Sequence, residues 1–326
     1  MSDHEQVNES SLAQNTTTQS AITESESAPP LKRQRSQAQL DNDSSSQNGT
    51  LGDSLQRHTA PVPVSIPSRL EPSIFNIKPP DDVGMVVKQF IERYIDRPYI
   101  EVEAKLGILI DKMTQQRVRM GVMSEAVLPE DDRSCRFVSD MSLDQHRYFN
   151  NMLNDLVNKS NAKDYKGARI QYKHTRETDR FYESFGKKLR VTYDQETRQK
   201  LAVVEKRRIG NLDVHSPNMP FDYRVSVNVE IPSQDPTVPQ SFERNKDRLS
   251  YRHQLIKIDL TQVKGEQIPG RPQEVTHELE VEFADARDLV KARQSTRPGE
   301  PDKMLDLVQV LLNNIRMLGR KSQSWR

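Results

Sequence analysis

From residue 99 onward the chain alternates apolar and charged positions, and that alternation predicts most of its architecture. Glu101, Glu103 and Lys105 alternate with Ile100, Val102, Ala104 and Leu106, so a strand over about 99–110 carries its charges on one face. The same period recurs from about 168 to 283. Lys188, Arg190 and Thr192 oppose Leu189, Val191 and Tyr193, while Lys206 and Arg208 oppose Leu201, Val203 and Ile209, with Glu205 and Arg207 interrupting the apolar face. Arg224, Ser226, Asn228 and Glu230 oppose Val225, Val227, Val229 and Ile231, the cleanest case. Arg244, Lys246, Arg248, Ser250 and Arg252 oppose Leu249 and Tyr251; Lys257, Asp259 and Thr261 oppose Ile256, Ile258 and Leu260. Last, Glu278, Glu280 and Glu282 oppose His277, Leu279, Val281 and Phe283, which makes His277 a strand residue on the covered face. Turn-forming stretches at 210–211, 217–220, 232–239 and 265–272 separate the strands.

Helical spacing flanks this region. Pro79-Pro80-Asp81 opens a helix with Val83, Val86, Val87, Phe90, Ile91 and Tyr94 on one side. Ser142-x-x-Gln145 has capping-box spacing ahead of Tyr148, Phe149, Met152, Leu153 and Leu156. A short helix over Ala286, Leu289, Val290 and Ala292 precedes a longer one from Met304 to Leu318, expected to end before Gly319. The longer helix is apolar on more than one side, which suits a homodimer interface. Residues 111–140 read as irregular.

Residues 1–65 read as a disordered polar tail and 66–326 as one folded domain. More than half of the first 50 residues are Ser, Thr, Asn or Gln, and the first aromatic is Phe75, too little apolar surface to offset the entropy of ordering. Lys32-Arg33-Gln34-Arg35 within it is a short basic cluster, a candidate nuclear import signal of only four residues. The 48 basic and 47 acidic side chains leave a net charge of +1, so bulk charge does not point to nucleic acid and any polarity lies in patches. A single cysteine, Cys135, excludes an internal disulfide and fits a reducing compartment. No apolar run approaches the roughly 18 residues of a membrane helix, and no signal peptide is expected at the polar N-terminus.

Three carboxylates about 6.6 Å apart on one strand face repel by about 2.5 kcal/mol per neighbouring pair at an effective dielectric near 20. Cations must meet them. The charged faces either form a solvated, salt-bridged outer surface or converge inside a closed barrel whose apolar faces lie outward beneath helices. In the second case acidic and basic strands balance across a polar lumen that suits a metal-bound polyphosphate. Other phosphate chemistries are excluded by motif. Gly265 and Gly270 have Walker spacing, but Arg271-Pro272 follow; Cys135 lacks an arginine six residues on; and no HExxH exists for zinc.

Glu101-x-Glu103-x-Lys105 and Glu278-x-Glu280-x-Glu282 resemble the signatures of triphosphate tunnel metalloenzymes. The fuller set is similar to the fungal mRNA-capping RNA 5′-triphosphatases: VEAKLG at 102–107, KLRVTYD at 188–194, EKRRIGNL at 205–212, YRVSVNVEIP at 223–232, RNKDRLSY at 244–251, KIDLT at 257–261 and HELEVEF at 277–283. The resemblance implies an α+β fold, an eight-stranded antiparallel tunnel with a polar lumen and helices packed outside, usually as a homodimer. It implies removal of the γ-phosphate from the 5′-triphosphate end of nascent mRNA in the nucleus, with Mg²⁺ or Mn²⁺. By that likeness Glu101, Glu103 and Glu282 are metal ligands, and Arg190, Lys206, Lys246 and Arg248 grip phosphates. Arg244, Lys257, Asp259, Glu278 and Glu280 support the tunnel or its phosphate sites, and Glu230 orients the attacking water. A capping guanylyltransferase and the tail of transcribing RNA polymerase II are the implied partners. Some members dock the guanylyltransferase through a tryptophan-containing segment upstream of the core; here the one tryptophan is Trp325, at the far end. Lys257 is arginine in some relatives, a change that keeps charge but not the bidentate fork. Hydrolysis of inorganic triphosphate or free nucleotide, and binding of polyphosphate without turnover, are the alternatives the core motifs leave open.

Overall fold

The computed structural model describes residues 69–322, apart from 185, 268, 269 and 271. The polar tail expected over 1–65, its basic cluster and Trp325 lie outside the described residues. The alternating segments are strands. β1 (Ile100–Asp111) is followed by the short β2 (Ala126–Val127) and β3 (Cys135–Val138). Then come β4 (Gln171–Ser184), β5 (Lys187–Asp194), β6 (Lys200–His215), β7 (Asp222–Pro232), β8 (Phe242–His253), β9 (Ile256–Lys264) and β10 (Val275–Phe283). Neighbours run β10-β9-β8-β4-β5-β6-β7-β1, all antiparallel, and β1 also pairs with β10. Eight strands therefore close into a tunnel, and closure satisfies the backbone groups an edge would expose.

Closure depends on β1 having two partners on one side in succession. Its first half faces β10, with Glu103 opposite Glu282; its second half faces β3, with Ile108 opposite Val138. The expectation of irregular backbone over 111–140 is thus corrected, since β2 and β3 lie there, each too short to display a period of two. Gly107 sits at the changeover, and a Cβ there would run into the Val138 carbonyl and the Phe137 ring. Gly107→Ala should therefore cost about 1–3 kcal/mol through overpacking. A thermal melt equal to that of the parent chain would sink this account of the glycine.

The apolar faces point outward, beneath helices. Val102, Ala104, Val225, Val227, Leu260, Leu279 and Val281 are buried there. The helices are α1 (Asp82–Glu92), α2 (Leu143–Ser160), α3 (Arg287–Ser295) and α4 (Lys303–Lys321). α4 packs on β1 and β10, α2 on β9 and β10, and α1 and α3 on α4. The capping box at Ser142 forms: Gln145 N donates to Ser142 Oγ at 3.2 Å, and Ser142 N to Gln145 Oε1 at 2.9 Å. Asp81 caps α1 by position only, and its carboxylate accepts from Arg316 of α4 at 2.6 Å. Gly319 does not end α4, which continues to Lys321; the residue is a close approach instead, its Cβ position 3.0 Å from Met219 Sδ. No helix among the described residues is long and apolar enough to cross a membrane.

Candidate active site in the tunnel

Because strand side chains alternate, the faces opposite the helices all project into the enclosed space. They surround a cavity of about 570 Å³. Of the residues singled out above, Glu101, Glu103, Arg190, Lys206, Glu230, Arg244, Lys246, Arg248, Lys257, Glu278, Glu280 and Glu282 line it together. Asp259, fully buried, lies behind Arg248 and Lys257 at 3.3 and 3.1 Å. Residues as far apart in sequence as Glu101 and Glu282 thus meet in one lumen.

One cluster spans β1, β5, β6 and β7. Lys206 Nζ donates to Glu101 at 2.6 Å and lies 3.3 Å from Glu230, which also accepts from Arg190 at 3.0 Å. Asn228 donates its amide to Glu101 and Glu103, 3.1 Å each. A second cluster joins β1, β9 and β10. Lys105 bonds Glu280 and stands 3.7 and 3.8 Å from Glu103 and Glu278, while Lys257 holds Glu282 at 2.5 Å. A third pairs Lys246 with Asp179, whose other partner is the Thr192 hydroxyl at 2.6 Å. Asp179 is 1% exposed and escaped the sequence reading, as did the bridging role of Asn228.

These contacts set the protonation states. Burial pushes Glu280 up, but Lys105 and Arg248 outweigh it and hold the carboxyl at about 2. Glu282 goes the other way, to about 7: burial dominates, and Asp259 and Glu101 add repulsion that Lys257 only partly offsets. Glu103 is also raised, by burial and then by Glu280. Lys206 is raised because Glu103, Glu101 and Glu230 together exceed its burial. Lys246 is lowered by burial, aided by Arg248 and Arg190 against the pull of Asp179.

Glu101, Glu103 and Glu282 each bring a carboxylate oxygen within 4.8 Å of the others; Asp259, Glu280 and Glu282 form a second such group sharing Glu282. An all-oxygen anionic set with two reluctant carboxylates fits a hard divalent cation, which would supply the charge that Glu103 and Glu282 lack. His277 is no part of it. The residue is 7% exposed on the covered face and pairs with Gln262 at 3.0 Å.

Residues 77–324 match the family described as mRNA capping enzyme, beta chain. The mRNA-capping enzyme subunit beta of Schizosaccharomyces pombe is 38% identical over 269 residues, covering 79% of this chain and 87% of that one. That of Cryptococcus neoformans is 34% identical, covering 74% of this chain and 64% of the relative. The solved structure of S. pombe Pct1 RNA triphosphatase superposes with a TM-score of 0.72 at 37% identity, over 78% of this chain and 99% of that one. Its complex with the Spt5 CTD gives 0.73 at 36%, over 79% and 99%. A closed antiparallel tunnel with this paired charge pattern defines a triphosphate-tunnel protein. Within that class, the chain belongs to the mRNA capping enzyme beta-chain family.

Proposed function

We propose that the protein is a metal-dependent RNA 5′-triphosphatase that removes the γ-phosphate from the 5′ end of nascent mRNA, the first step of capping. The observation that carries the reading is the meeting of Glu101, Glu103 and Glu282 with Arg190, Lys246 and Arg248 around one enclosed lumen. Glu101, Glu103 and Glu282 would hold Mg²⁺ or Mn²⁺, which when bound supplies Lewis-acid polarisation of phosphate oxygens. Arg190, Lys206, Lys246 and Arg248 grip the transferring phosphoryl group with donors already fixed by carboxylates, so little reorganisation is needed as charge develops. Glu230 is held ionised, because Arg190 and Lys206 outweigh its burial. It therefore accepts a hydrogen bond from the attacking water and aligns it in line with the leaving oxygen, while remaining a weak base at neutral pH. Asp259 holds Arg248 in place, Lys257 holds Glu282, Glu278 and Glu280 anchor Lys105 in the tunnel wall, and Arg244 adds to the phosphate-binding set.

Phosphate release from γ-labelled triphosphate-ended RNA tests this directly, with Glu101→Ala expected to abolish turnover. Cleavage of tripolyphosphate with RNA ignored would make the protein an inorganic triphosphatase; tight binding without turnover in either metal would make it a binding module. Metal affinity should follow the Glu282 proton. A ligand with its carboxyl at about 7 must shed that proton when the cation binds, so Mn²⁺ should bind about tenfold more weakly at pH 6 than at pH 8. Calorimetry on the parent chain and on Glu282→Gln checks this, since the variant should show a weaker pH dependence, with what remains coming from Glu103.

The reading extends to a nuclear location, to the capping guanylyltransferase, and to the tail of the transcription machinery, in line with the S. pombe relative in complex with the Spt5 CTD. Val310 and Met317 stay exposed on α4 and supply an apolar surface for the homodimer. Residues 1–65 are assigned to recruitment and 66–326 to catalysis.

A further inference from the structure

Two cations of the tunnel wall, Arg208 and Arg244, bond no carboxylate among the described residues, whereas every other lysine or arginine lining the cavity does. Both are exposed. The registers bring them to the same end. Running from Glu101 to Lys105 on β1 matches running from Glu230 to Arg224 on β7, from Lys206 to Arg208 on β6, from Arg248 to Arg244 on β8 and from Glu282 to Glu278 on β10. One end of the lumen therefore collects Glu101, Glu230, Glu282 and Asp259, with Arg248 and Lys257 paired among them. The other collects Arg208, Arg224 and Arg244, with two acids beside them: Asp213, which holds Arg224 at 2.6 Å, and Glu278, 3.8 Å from Lys105.

Aromatic rings accompany the arginines. Phe181 and Phe242 face each other across β4 and β8 and stack with centroids 4.4 Å apart and planes 11° off parallel. The Arg244 guanidinium lies 5.5 and 5.3 Å from the two rings. Across the lumen, on β7, Arg224 sits 4.8 Å over Phe137 of β3. Phe181 and Phe137 both line the cavity, so apolar ring surface and arginines share one mouth.

We propose that this mouth is the RNA entrance and that it holds the first nucleotide, Arg208 and Arg244 on its phosphates and Phe181 against its base. The proposal rests on the triphosphatase reading and adds what distinguishes an RNA end from a bare polyphosphate. At the first end the cations are engaged by carboxylates, whereas Arg208 and Arg244 at the second bond none among the described residues and attract a polyanion. Arg244 lies two residues, about 6.6 Å, along β8 from Lys246 on the side of the mouth, a span that suits the phosphates between the scissile one and the first nucleotide. Aromatic stacking tolerates any base, which an enzyme acting on all transcripts requires.

The test compares Phe181→Leu and Arg208→Gln with the parent chain on triphosphate-ended RNA and on inorganic tripolyphosphate. KM for RNA should rise about tenfold in each variant, the size of one lost stack or phosphate contact, with tripolyphosphate kinetics unchanged. Equal losses on both substrates, or none on RNA, overturn the entrance. A parent chain that cleaves tripolyphosphate but ignores RNA removes the underlying reading, a different failure seen before any variant is made. Because Arg208 is exposed, its variant keeps the test open should Phe181→Leu fold poorly.

Discussion

Glu282→Gln should lower kcat for phosphate release from triphosphate-ended RNA by about a hundred- to a thousandfold, while leaving the metal-free chain at least as stable as its parent at pH 8. The two effects separate because of where this carboxyl titrates. Its ordinary value is 4.5, and burial takes it to about 7 in the fold. Between those values the folded chain holds a proton that the unfolded chain has lost. The stabilising contribution is thus complete below pH 4.5 and gone once pH has risen through 7. At pH 8 the glutamine removes a charge the lumen disfavours and still offers Lys257 an amide oxygen. Phosphate-release kinetics with a melt in metal-free buffer decide the matter, and a fall in Tm proportionate to the fall in kcat would return Glu282 to a purely structural role.

Lys246→Ala should also remove most activity, about a hundredfold or more in kcat, but here stability falls too. Its amine is the ionic partner of Asp179, which is 1% exposed and, once the lysine is gone, keeps the Thr192 hydroxyl and only the more distant charge of Arg190. Breaking a buried pair by removing one member costs about 3–5 kcal/mol. Adding Asp179→Ala should recover much of that stability, because the stranded charge disappears, and should recover none of the turnover. Denaturant unfolding with phosphate-release assays on the single and double variants measures both. Restored activity in the double variant would show that Lys246 serves Asp179 and nothing else.

The strands that bury an apolar face under helices were legible in the sequence, and β7 is the clearest. Val225, Val227 and Val229 alternate with lumen residues because one side meets a core and the other a charged cavity. β4 has no such contrast. Thr175, Glu177 and Asp179 face its partners in the tunnel wall, while His174 and Arg176 on the other side stand in solvent, so both faces are polar until Phe181 and no period of two emerges. Asp179 was missed for that reason. The β-bulge between Arg208 and Gly210 likewise breaks strict alternation along β6. Convergence of the candidate residues followed from the motif order, yet the pairing of β1 with β10 joins the two ends of the barrel sequence, Glu103 opposite Glu282, and local pattern carries no register for it. Gly319 misled for a simpler cause: glycine marks a helix end and a tight helix contact equally well.

The unbroken wall has a mechanical consequence. With β1 bonded to both β7 and β10, a strand of nucleic acid cannot slip sideways into the hoop and must be threaded tip first. Internal phosphodiesters and circular molecules are thereby kept away from the carboxylates by topology alone, whatever their charge. Selection for a free terminus is built into the shape of the wall, leaving its side chains to do chemistry.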